Sequence, residues 1–144
     1  MSAIDPAETP IEVVNDGDAV VAIILRSTYS EPGVHFFSEG HFSQQLGFIG
    51  HAAGHLIPPH VHNEVPREVL NTQETLFIRK GSVRVDLYSN ECVLLVSRVL
   101  GTGDVILLAT GGHGFEILED SEIIEVKQGP YAGVEDKVRF EVSG

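Results

Sequence analysis

Six short runs rich in Val, Ile, Leu and Phe constrain this chain more than any other feature: VVAIIL (20–25), FIRKGSVRVDLY (77–88), ECVLLVSRVL (91–100), DVILLA (104–109), HGFEIL (113–118) and SEIIEVK (121–127). Gly, Asn or Asp stands between most of them and supplies the turn conformations that hairpins need. No segment sustains a helical period, so the expected class is all-β, a sandwich, jelly roll or barrel. In SVRVDLY, Val83, Val85 and Leu87 share one face while Arg84, Asp86 and Tyr88 share the other, as in a strand with one side on a core. AVVAIILR is apolar on both faces and needs cover on both, from a second sheet or from a partner subunit. A homodimer in which this segment docks at a sheet edge is therefore expected.

A length of 144 residues fits one domain, taken as residues 11–144 after an N-terminal arm over residues 1–10 with little apolar surface to order it. Acidic residues outnumber basic ones by 21 to 9, which leaves no broad positive surface for a nucleic-acid backbone. The first residues, MSAIDPAETPIEVV, lack the basic and apolar regions of a signal peptide, and no stretch reaches the roughly 18 apolar residues of a membrane span. A soluble cytoplasmic protein is the expectation. Cys92 is the single cysteine, and its place in a strand-like run marks it as a small buried hydrophobe without a catalytic role.

The candidate chemistry lies in PPHVHNEVPREVLNTQETLFIRKG (58–81). On a strand His60 and His62 project from one face, about 6.6 Å apart, near enough for both rings to lean onto one ion. Glu74 shares a parity with Leu76 and Ile78, and His113 shares one with Phe115 and Ile117, so each projects from an inward face and requires a partner. Two imidazoles, a carboxylate and a further imidazole form the mixed shell of Fe(II), Mn(II), Ni(II) or Zn(II). A divalent transition metal is the expected cofactor.

These residues resemble the cupin family, whose first motif runs glycine, five residues, His-x-His, three or four residues, glutamate, six residues, glycine. Here Gly54, five residues, His60-Val61-His62, then Glu74, six residues and Gly81 follow that order, with eleven residues between His62 and Glu74, roughly seven more than the pattern. Glu64 and Glu68 lie nearer His62 but have the wrong spacing to Gly81. A hairpin insertion that lengthens a loop without altering either strand accounts for the gap. In the second motif Gly103, Gly111 and His113 keep their places to within one residue, while Ala109 and Ile117 stand where proline and asparagine are usual. The ends of this region, GGHGFEILED and EVKQGPYAG, look like small cupins of sugar-nucleotide and surface-polysaccharide pathways, ketoisomerases and the WbuC-like group among them.

The resemblance implies a small jelly-roll barrel, the cupin double-stranded β-helix, holding a metal through His60, His62, Glu74 and His113. It further implies an enzyme that isomerises or epimerises a sugar or sugar-nucleotide-like polar metabolite. In that reading the ion polarises a carbonyl, and His113, when not a ligand, is the base, with Tyr131 as an acid near the mouth. Arg67, in the insertion after the histidine pair, offers a fork suited to a phosphate or carboxylate of an anionic metabolite. An Fe(II) dioxygenase with the same ligands and a sugar- or metal-binding cupin without turnover are the alternatives. Ile123, Glu125 and Lys127 share a face read as a solvated charged edge, and His35, His41, His51 and His55 have no ligand role by spacing.

Overall fold

The computed structural model describes residues 9 to 142. It contains eight strands: β1 (Ile11–Asp16), β2 (Ala19–Leu25), β3 (Gly33–Phe36), β4 (Gly47–Gly50), β5 (Glu74–Tyr88), β6 (Leu94–Gly101), β7 (Val105–Leu108) and β8 (Gly112–Lys127). A single 3-10 turn follows at Gly133–Glu135, and there is no α-helix among the described residues. Most of the N-terminal arm expected over residues 1 to 10 lies outside the described residues, but the carbonyl of Pro10 accepts a bond from the Arg26 N–H at 2.8 Å.

Strands β1-β2-β7-β5-β6 and β8 form one antiparallel sheet, curled into a half-barrel; β3 and β4 pair separately. Along β5 one edge carries β8 from Glu74 to Tyr88, while the other carries β7 opposite Glu74–Phe77 and β6 opposite Ser82–Tyr88. The period-two pattern of β5 appears as expected over Val83–Leu87: Val83, Val85 and Leu87 are fully buried, and Arg84 on the opposite face pairs with Asp86 and Glu116. Tyr88, expected on that outer face, is buried instead, past a register shift after Leu87 and against Phe140.

β2 is buried from Val20 to Leu25 because both its faces are covered by the chain itself. On one side Ala22 and Ile24 pack with Val85, Leu100 and Ile106; on the other Val20 and Ile23 pack with Leu107, Phe37, Phe42 and Leu46. Both ladders of β2 are occupied, by β1 and β7. The expected docking of this segment on a partner subunit is therefore corrected: β2 is interior to the sheet and needs no second chain.

Two further local readings are corrected. Residues 51 to 73 hold no strand, so His60 and His62 do not lie on one. Pro58 and Pro59 lack the N–H a ladder requires, and this segment has no neighbouring strand to pair with. No inserted hairpin lies between His62 and Glu74 either. Cys92 is exposed in a turn with φ +64°, before β6 begins at Leu94. Bonds from Cys92 N–H to the Ser89 carbonyl and from Ser89 N–H to the Val93 carbonyl close that turn, which overrides the strand propensity of its neighbours.

The β5–β8 ribbon bends at a corner. Its register shifts three times between Ile78 and Val83, and Gly81 there adopts φ +108°. A Cβ on Gly81 would meet Asp120 O at 2.5 Å and Ser121 Cα at 2.7 Å, so only glycine lets the strands approach this closely. Ser82 N–H donates to Ser121 Oγ at 3.1 Å and Ser121 Oγ donates to the Glu119 carbonyl at 2.7 Å, tying the corner.

Candidate functional site

The corner has a direct effect on the site. His113 opens β8 opposite Leu87, and Glu74 opens β5 opposite Lys127 and Leu108. Leu87 stands thirteen positions after Glu74, about 43 Å of straight strand. His113 Nε2 nevertheless lies 2.6 Å from Glu74 Oε1, a contact possible only because the ribbon curls back on itself.

The ladder also settles what faces this pair. Glu74 opposes Lys127, Leu76 opposes Glu125 and Ile78 opposes Ile123, so Ile123, Glu125 and Lys127 share the inward face of β5. Their common parity was legible: Ile123 packs on the core, while Glu125 and Lys127 are exposed, as a solvated charged edge requires, and stand at the lining of a cavity of about 800 Å³ with Glu74 and His113. The signal available in the sequence was Ile123, whose apolar side chain marks that face as the inner one.

Charge is distributed unevenly among these groups. Glu74 has a side chain only 11% exposed, yet its carboxyl is pulled down to about 2, first by the hydrogen bond from His113, with further bonding from Glu125 and the charges of His113 and Lys127 outweighing burial. Glu125 is pushed above the usual carboxyl range, first by its hydrogen bond to Glu74 and then by burial and the Glu74 charge. Two neighbouring carboxyls thus have opposite tendencies, one pulled below and one pushed above the usual carboxyl range. Nε2–H of His113 donates to Glu74, which leaves Nδ1 of a neutral ring as the acceptor.

Replacing Glu125 by glutamine is expected to leave stability near that of the wild type at pH 4 and to raise it at pH 8. The sign follows from the raised Glu125 carboxyl: folded protein holds a proton that unfolded chain has released, so wild-type stability falls as pH rises through the folded pKa. Glutamine keeps a donor toward Glu74 and has nothing to ionise. The gain is about 1 kcal/mol or less for so open a group, and thermal unfolding at the two pH values reads it. A glutamine variant less stable than wild type at pH 8 would contradict the pairing.

A C-terminal strap crosses this region. Asp136 accepts from Thr72 Oγ1 at 3.0 Å and from Lys127 Nζ at 3.2 Å, and Phe140 sits edge-on against Tyr88 at 5.1 Å. Nothing in the composition of residues 130–142 marks them for this position. Tyr131 on the strap is 83% exposed, with Lys127 Nζ 5.8 Å from its ring centre. Arg67 lines an adjoining cavity of about 580 Å³ with Asp136 and Gln128.

The remaining candidate residues stand apart. His60 and His62 lie in an exposed segment with ring centres 5.2 Å apart, and His60 Nδ1 is 3.0 Å from the Pro58 carbonyl. His51 and His55 stack at 3.8 Å. Among the described residues no three His, Cys, Asp or Glu side chains form a group able to hold a metal. The donor types of His60, His62, Glu74 and His113 suit a transition metal, but they stand as two separate pairs. An ion taken up at Glu74 and His113 is accordingly expected to be lost in Glu74→Gln and kept in His60→Ala.

No protein-family model, no curated protein and no solved structure matches the chain. No helix among the described residues is long and apolar enough to cross a membrane.

Proposed function

We propose that the half-barrel is a cupin barrel and that its cavity isomerises or epimerises a small polar metabolite of the sugar type by moving a proton between neighbouring carbons. The observation that carries this reading is the contact of His113 Nε2 with Glu74 Oε1 at 2.6 Å on the wall of the cavity. An ionised carboxylate on one ring nitrogen fixes the tautomer and leaves the other nitrogen as a base. Glu74 is then a positioning residue and His113 the catalytic base.

Glu125 completes the exchange as the acid. His113 Nδ1 takes the proton from the carbon beside a carbonyl, and the Glu125 carboxyl gives its proton to the carbonyl oxygen, forming an enediol. Return of the His113 proton to the adjacent carbon, with Glu125 recovering one from the other hydroxyl, yields the isomer with all atoms conserved. Isomerisation of this kind needs a paired acid and base, which the carboxylate-bound His113 and the raised Glu125 support.

The test is exchange of the hydrogen beside the carbonyl in D2O, followed by proton NMR over a panel of aldoses, ketoses and their phosphates. His113→Ala is expected to slow exchange by about 10²- to 10⁴-fold. Glu74→Gln is expected to slow it less, since the amide still occupies the ring's other side. Wild type exchanging no substrate faster than His113→Ala would sink the proposal.

A further inference from the structure

The chain has 21 acidic and 9 basic residues, so most of its cations have carboxylates to pair with. Arg26 pairs with Asp104, Arg79 with Glu122, Arg84 with Asp86 and Glu116, Arg98 with Glu12 and Lys127 with Asp136. Among the described residues that leaves Arg67, Lys80, Lys137 and Arg139 without a carboxylate within 4.0 Å. Three of these four gather at one place: Lys137 and Arg139 line the cavity that holds Glu74 and His113, and Arg67 lines the adjoining one. The two cavities share Leu70, Asn71, Thr72 and Asp136 as a common rim. In a protein of net charge −12 the lining of these two cavities is balanced, with Arg67, Lys127, Lys137 and Arg139 against Glu74, Glu125, Glu135 and Asp136, so the mouth is locally far less negative than the chain as a whole.

The strap that carries two of them is fixed on either side. Asp136 is bound by Thr72 and Lys127 just before Lys137, and Phe140 rests on Tyr88 just after Arg139. The intervening cations, although exposed, thereby stand at the lining of the cavity. Carboxylates do face them: the charge of Lys137 helps hold Asp136 below the usual carboxyl range and opposes, without overcoming, the upward push on Glu125. The geometry points to a phosphate group as ligand, held at the mouth by Lys137 and Arg139 with Arg67 on the far rim, while the sugar part of the same molecule reaches His113. Arg guanidinium is matched in shape to two phosphate oxygens, and Lys ammonium adds a point charge. This substrate class, a phosphorylated or nucleoside-diphosphate-linked sugar, rests on the isomerase reading of the cavity.

The experiment measures binding of inorganic phosphate, diphosphate and a neutral hexose by calorimetry at low ionic strength, alongside the D2O exchange assay. Wild type is expected to bind diphosphate more tightly than phosphate and the neutral hexose weakly. Lys137→Gln with Arg139→Gln is expected to weaken diphosphate binding about tenfold or more, with unfolding temperature unchanged because both side chains are exposed. Lys80→Gln, a cation away from the mouth, is expected to bind as wild type, and His113→Ala is expected to retain diphosphate binding while losing exchange. Diphosphate bound equally by wild type and the double variant, or bound by neither, overturns the inference. Diphosphate binding lost in the double variant without exchange in any wild-type assay supports the anion site and removes the isomerase reading instead.

Discussion

Asp104→Ala is expected to lower the stability of the fold by about 3–5 kcal/mol, read as a large fall in the urea midpoint. The Asp104 carboxylate accepts from Arg26 Nη1 at 3.1 Å, from the Ser27 N–H at 2.8 Å and from the Gly101 N–H at 2.8 Å. Arg26 is 8% exposed, and its Nε already has no hydrogen-bond partner. Alanine would leave a buried guanidinium with only the Val99 carbonyl, at 2.6 Å, and would also strip two backbone donors of their acceptor. Since domains of this size are stable by only about 5–15 kcal/mol, such a loss takes a large part of the margin. Replacing both partners, Arg26→Met with Asp104→Leu, is expected to cost less than Asp104→Ala alone, because no charge is then left buried. A midpoint for Asp104→Ala within about 1 kcal/mol of wild type would show that water reaches Arg26 freely.

Gly81→Ala is expected to cost about 2–4 kcal/mol and to reduce D2O exchange even in the molecules that remain folded. The left-handed φ of +108° is strained for any residue with a Cβ, and the added carbon would press on the Asp120 carbonyl and Ser121. Relief requires the β5–β8 corner to open. Because Glu74 and His113 meet only through that corner, a change far along the strand from either residue should lengthen their contact. Equilibrium unfolding gives the first effect, and the histidine nitrogen chemical shifts of His113 give the second. Unchanged His113 shifts in a destabilised Gly81→Ala would separate the corner from the site.

The reach of the sequence can be judged from these residues. Alternation in SVRVDLY placed Val83, Val85 and Leu87 inside correctly, since a period of two is a local property of one strand. The apolar run of β2 announced cover on both faces, but not that Phe37, Phe42 and Leu46 of the same chain provide it. Parity put Glu74 and His113 on inward faces, which the ladder agrees with, yet their contact depends on the bend at Gly81. Motif spacing alone marked that glycine, and spacing carries no information on curvature. Parity put Glu125 and Lys127 on the side of Ile123, and their exposure is as expected, but it leaves open that a cavity lies beside them. The C-terminal strap was invisible because its position rests on single contacts, Phe140 on Tyr88 and Asp136 on Thr72, with no repeating pattern.

Residues 51 to 72, all exposed and without a strand, divide the polypeptide into unequal partners. The earlier partner holds β1 to β4 and the later one β5 to β8, and they meet through the β2–β7 ladder and the packing of Ile23 on Leu107. Glu74, His113, Glu125, Lys137 and Arg139 all belong to the later partner. A chain severed anywhere in that stretch would thus lose no ladder bond and no member of the proposed acid–base set. The protein is in this sense two pieces covalently joined, one carrying the proposed acid–base set and the other backing it. Joining or exchanging such pieces by fragment complementation is open to it in a way that a barrel closed by a continuous ladder does not allow.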